Sequence, residues 1–125
     1  MNYFYLYVAL ASLMLIALAF NVSRIRMRDR IKHGDGNNRA LKNAIRTHMI
    51  NLEHIVPFTL ILFVLSELGS TQTMMAFLSM GFLVTRLIHS YGMLAPHYIS
   101  FRVSSAFTYF FEIFGSITIL VKLFG

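Results

Sequence analysis

Four apolar runs of about twenty residues each constrain this chain more than any other feature: Tyr3 to Ser23, Thr47 to Leu68, Thr73 to Leu94 and Val103 to Leu123. A helix rising about 1.5 Å per residue needs about 20 residues to cross about 30 Å of hydrocarbon, and every run approaches that length. Strands are excluded, because apolar and polar residues do not alternate and the runs are about twice as long as a barrel strand. Helices, in contrast, satisfy their own backbone groups in lipid. Only 13% of the 125 residues are charged and 57% are hydrophobic, against roughly a quarter charged in a soluble domain. The chain therefore reads as all-α: an integral membrane four-helix bundle forming one domain over 1–125. The expected helices run about 3–23, 38–68, 73–94 and 103–123, with nothing left for a soluble domain.

The net charge of +6 is concentrated in one connection. Arg24, Arg26, Arg28, Arg30, Lys32, Arg39, Lys42 and Arg46 all lie between the first two apolar runs, whereas Leu68 to Gln72 carries no basic residue. The positive-inside rule puts the loop 24–46 in the cytoplasm and both termini on the opposite side. Membrane topology and attraction to anionic headgroups account for the basic pI, so no nucleic-acid partner is expected. Ala17-Leu18-Ala19 resembles a signal-peptide cleavage site, but no Lys or Arg precedes the run, so the first segment reads as a retained helix. The absence of cysteine excludes disulfides, thiolate nucleophiles and cysteine metal sites from this chain.

The connections order the helices. His33-Gly34-Asp35-Gly36 is a turn signal that ends a cytoplasmic extension of the first helix, and Asn37 or Asn38 can cap the second. Gly69-Ser70-Thr71 leaves room only for a hairpin between the second and third helices. Pro96 closes the third, and a short link through Phe101 leads into the fourth. Up-down-up-down is the simplest topology for these links.

Charges in an apolar helix need a partner or a task. On the second helix, Arg46, Ile50, Glu53 and Pro57 fall within roughly 60° of arc. On the third, Arg86 and His89 share a face. Glu53 and Arg86 both lie on the order of 10 Å inside the cytoplasmic ends, so they are expected to pair, with Glu112 a second candidate partner for Arg86. His48 and His54 point about 120° apart and make a poor ligand pair; no metal site is expected. The arginines outnumber the carboxylates, which suits an anionic polar ligand with several carboxylates, because Arg binds carboxylates bidentately and stays charged when desolvated. The surrounding Phe, Leu and Met surface would admit a lipophilic second reactant from the bilayer.

These residues resemble the membrane-associated proteins of eicosanoid and glutathione metabolism, which include microsomal glutathione transferases and prostaglandin E synthase. The resemblance covers most of the chain. It runs from Arg24-Ile25-Arg26-Met27-Arg28 through Arg46-Thr47-His48, Glu53 and Pro57-Phe58, to Arg86-Leu87-Ile88-His89 and Arg102, with His33 to Gly36 as punctuation familiar from small bacterial members. The resemblance implies a multi-pass protein of a bacterial inner membrane that assembles as a homotrimer, with glutathione held between adjacent subunits near the cytoplasmic face. It implies that Arg24, Arg46, Glu53, Arg86 and His89 hold glutathione and that Arg102 stabilises its thiolate, a role that makes physical sense because a nearby cation lowers a thiol pKa. The activity implied is glutathione-dependent transfer to, or reduction of, a lipophilic electrophile.

Three departures favour binding over rapid turnover. Ile50 stands where active members usually carry Asn, with Asn51 one residue later and about 140° from the Arg46 direction. Met93 and Ala106 replace familiar tyrosines. Two other classes remain open: a non-catalytic lipid- or glutathione-binding scaffold of the same fold, and a small proton-coupled exporter, although the first helix carries no charge from Met1 to Ser23, where an exporter would place its Glu.

Overall fold

A computed structural model describes residues 2–125. Four helices account for nearly all of them: α1 (Tyr3–Asp29), α2 (Arg39–Glu67), α3 (Gln72–Leu94) and α4 (Tyr98–Phe124). No strand occurs among the described residues, and each helix is long and apolar enough to cross a membrane.

The local chemistry explains where each helix starts and stops. Asn2 caps α1, its Oδ1 accepting from the N–H groups of Phe4 and Tyr5. The helix continues past the apolar run, as the extension predicted from the sequence requires, and ends at Arg30 in the left-handed region with φ 57°. In the basic loop the Asp35 carboxylate accepts from the Asn37 N–H at 2.9 Å, and Gly34 and Gly36 both take positive φ. Asn38 is the cap of α2: its Oδ1 accepts from the Leu41 N–H, while its amide donates to Asp29 Oδ2 at 2.6 Å and ties the ends of α1 and α2 together. Thr71 caps α3.

The fourth helix starts earlier than expected. His97 Nδ1 accepts from the Ser100 N–H, so α4 begins at Tyr98 and the region through Arg102, expected partly as a link, is helical. The link from α3 is thereby shortened to Ala95–His97.

α2 and α3 form the centre of the molecule. Each packs on both α1 and α4, which do not touch one another. The core is aromatic at its middle, where Phe58 and Phe82 stack with centroids 3.9 Å apart and Tyr7 meets Phe58 edge-on. Leu62, Leu65, Met75, Leu78 and Phe111 extend this core, and Ile25, Leu41 and Ala44 form a smaller cluster at the other end of α1. The outward faces carry large exposed apolar side chains such as Leu13, Phe20, Leu60 and Ile113. Lipid is the natural solvent for such a surface.

α2 buries Leu41, Ala44, Thr47, Asn51, Ile55, Phe58, Leu62 and Leu65. This stripe turns Asn51 into the bundle and leaves Arg46, Glu53 and Pro57 exposed. The grouping of Arg46, Ile50, Glu53 and Pro57 on one face is as the periodicity predicts, but that face looks out of the bundle.

Candidate functional site

Arg86 is 1% exposed, and its guanidinium is held by three helices. Nε donates to Asn51 Oδ1 at 2.9 Å, Nη1 to Thr108 Oγ1 at 3.1 Å and Nη2 to His89 Nδ1 at 3.3 Å. Two of these acceptors are themselves committed. The Asn51 amide donates to Thr47 O at 2.8 Å and to Ser90 Oγ at 2.9 Å, the Ser90 hydroxyl donates to Arg86 O, and the Thr108 hydroxyl donates to Ser104 O. Because a guanidinium only donates, His89 Nδ1 must accept, which leaves its proton on Nε2.

The expected pairing of Arg86 with Glu53 is therefore replaced. Among the described residues no carboxylate lies within ion-pair distance of Arg86. Residues 51 and 53 point about 200° apart on a helix, so burying Asn51 turns Glu53 outward. Glu112, the second expected partner, is paired instead with His54, whose Nδ1 lies 2.6 Å from its Oε1.

Arg86 lines a cavity of about 250 Å³ between α2, α3 and α4, together with Ile50, Glu53, His54, His89, Phe101, Ser105, Thr108 and Tyr109. Ile50 and Glu53 also line a second cavity of about 470 Å³ with Asp35, Lys42 and Arg46, so the two adjoin along the outer face of α2. α3 and α4 close together behind the first cavity because Gly92 lacks a side chain: a Cβ there would stand 2.8 Å from the Phe101 backbone nitrogen. His89 and Phe101 meet at this point, ring centroids 5.0 Å apart.

Of the residues expected at the site, Glu53, Arg86 and His89 are brought together at the first cavity, and Arg46 joins Glu53 at the second. Arg102 and Arg24 line neither. Arg102 is exposed next to the cavity wall at Phe101, and its guanidinium is drawn to Tyr98, donating to Oη at 2.6 Å and lying over the ring. Arg24 is exposed on α1 and donates to Asn21 Oδ1. The cavity is walled by α2, α3 and α4, and α1 makes no contact with α4, so Arg24 belongs to a different side of the bundle.

The chain matches the MAPEG family model over residues 4–122. The chain belongs to the MAPEG family. It is similar to "Inner membrane protein YecN" of Escherichia coli strain K12, with 36% identity over 88 residues covering 70% of this chain and 66% of the relative, and equally to YecN of strain O6:H1. The match spans just under two thirds of the relative's length. No solved structure matches. With its four apolar helices, this MAPEG chain is a multi-pass membrane protein.

In this MAPEG chain the polar residues that matter most inside the bundle include several outside the expected site. Asn51, one residue out of the family register, is the acceptor for Arg86 Nε. Its signal was the core stripe: Thr47, Asn51, Ile55 and Phe58 recur at helical spacing with Ala44. Thr108 and Ser90 carried no signal, since a lone hydroxyl in a membrane helix usually bonds to its own backbone.

Proposed function

We propose that this protein is a membrane-bound glutathione-dependent transferase or peroxidase acting on a lipophilic electrophile. The observation that carries the proposal is the unpaired positive charge of Arg86: a buried guanidinium with only neutral partners, facing a cavity, calls for an anion from outside the chain. Glutathione supplies two carboxylates and an ammonium. The cations Arg46 and Arg86 would take the carboxylates, and exposed Glu53 would take the ammonium.

The same reading includes an up-down-up-down topology in a bacterial inner membrane, loop 24–46 in the cytoplasm, and a homotrimer. The first cavity alone is smaller than the roughly 300 Å³ at which ligand pockets begin, and its outer wall is missing. A neighbouring subunit would supply that wall and bring its α1, with Arg24, to the site. Arg102, one residue from the wall, would turn from Tyr98 to the bound sulfur and stabilise the thiolate without exchanging a proton. Ile50 projects into both cavities, so the family's usual Asn contact is absent there and Asn51 serves Arg86 instead.

Glutathione titration of the purified protein in mild detergent, followed by the ultraviolet absorbance of the thiolate and by conjugation of a small electrophile, tests this. Saturable binding with a thiolate signal and turnover above the buffer rate is expected. Binding as the thiol, with no turnover, would leave the non-catalytic scaffold of the same fold.

A further inference from the structure

Two histidines enter the first cavity, and their partners set them to opposite tasks. His89 Nδ1 accepts from Arg86, so its remaining ring nitrogen carries the proton and can only donate. His54 Nδ1 faces the Glu112 carboxylate at 2.6 Å, and Tyr109 stands edge-on to the imidazole, interplanar angle 83° and centroids 6.0 Å apart. The Glu112 carboxylate accepts a hydrogen bond from Nδ1–H, which leaves Nε2 as a bare lone pair. Among the described residues His54 makes no hydrogen bond through Nε2, and the residue lines the cavity. A carboxylate that orients an imidazole, with the far nitrogen free beside a ligand cavity, is the arrangement of a general base.

We infer that the His54–Glu112 pair is the proton acceptor for the thiol bound in this cavity. His54 is the catalytic base and Glu112 its positioning residue. The inference rests on the thiol-dependent reading above and deepens it. The S–H bond breaks with its electron pair left on sulfur, the proton forms an N–H bond at His54 Nε2, and the resulting imidazolium is paired with Glu112. Arg102, turned to the sulfur as above, stabilises the new negative charge. When sulfur adds to an activated alkene, the S–C bond forms, the π bond opens, and the Nε2 proton passes to the adjacent carbon, which restores neutral His54. The groups facing His54 are Glu112 and Tyr109 from α4, Arg86 and His89 from α3, and Glu53 from its own helix.

Two measurements on the intact wild-type protein and its variants test this. In ¹⁵N-histidine spectra in detergent, the resonance lost in His54→Gln should show a protonated Nδ1 and a bare Nε2 at neutral pH, and Glu112→Gln should bring in the Nε2–H form. A wild-type His54 carrying its proton on Nε2 overturns the base role, whatever glutathione does. In rapid mixing with glutathione, His54→Gln should retain affinity within about threefold yet form thiolate about 100-fold more slowly, the usual loss on removing a general base. Equal rates in the variant and the wild type, with binding intact, overturn the inference and leave the function reading standing. A wild-type protein that does not bind glutathione overturns that reading, and the thiol-base role falls with it.

Discussion

Arg86 Nε donates to Asn51 Oδ1 at 2.9 Å, which joins α3 to α2 through a charged donor and a neutral acceptor. The amide satisfies the geometry of the guanidinium without cancelling its charge. Fold stability and anion demand therefore meet at one contact and can be separated by mutation.

Asn51→Leu should lower stability by about 3 kcal/mol, because it strands the buried, charged Nε donor of Arg86. Asn51→Asp should keep the fold, since the carboxylate replaces the amide oxygen. It should nevertheless weaken glutathione binding at least about tenfold, or about 1.4 kcal/mol, by supplying the missing anion internally. Thermal unfolding and ligand titration in the same detergent read the two effects apart.

Glu53→Ala should leave stability nearly unchanged, within about 0.5 kcal/mol, because Glu53 is exposed and outside the Arg86 network. Its effect should fall on ligand affinity alone. A large loss of stability in the variant would mean that Glu53 has a structural partner after all.

If the proposed shared site holds, Arg24→Ala and Arg102→Ala should each abolish glutathione-dependent turnover and complement one another. Each site would draw Arg24 from one subunit and Arg102 from its neighbour, so an equal mixture of the two variants should restore about a quarter of the sites to full function. Mixed assemblies no more active than either parent would refute the shared site, and mass measurement in mild detergent checks the trimer directly.

Gly92→Ala should cost about 1 to 3 kcal/mol through overpacking, since the added Cβ meets the Phe101 backbone rather than a movable side chain. It should also disturb the ligand wall, because Phe101 packs on His89 there. Denaturation and glutathione affinity should worsen together, unlike the pattern in Glu53→Ala.

Amino-acid order alone determined the fold class, the helix count, the turn at His33 to Gly36, the hairpin at Gly69 to Thr71 and the shared faces of Arg46 with Glu53 and of Arg86 with His89. Hydrocarbon thickness and helical periodicity are one-dimensional constraints, so runs of apolar residues and their spacing carry them. Only the tertiary structure decided which way each face points. Periodicity relates residues 46, 50, 53 and 57 to one another but holds no information on whether their face meets α3 or the outside, and the choice fell on Thr47, Asn51 and Ile55 because α2 packs on α1, α3 and α4 through that stripe. The partners of Arg86, and the bond between His54 and Glu112 across 58 residues, follow from that rotation. Hydrogen bonds form within about 3 Å, and a turn of a helix about its axis by half a residue changes which groups come that close.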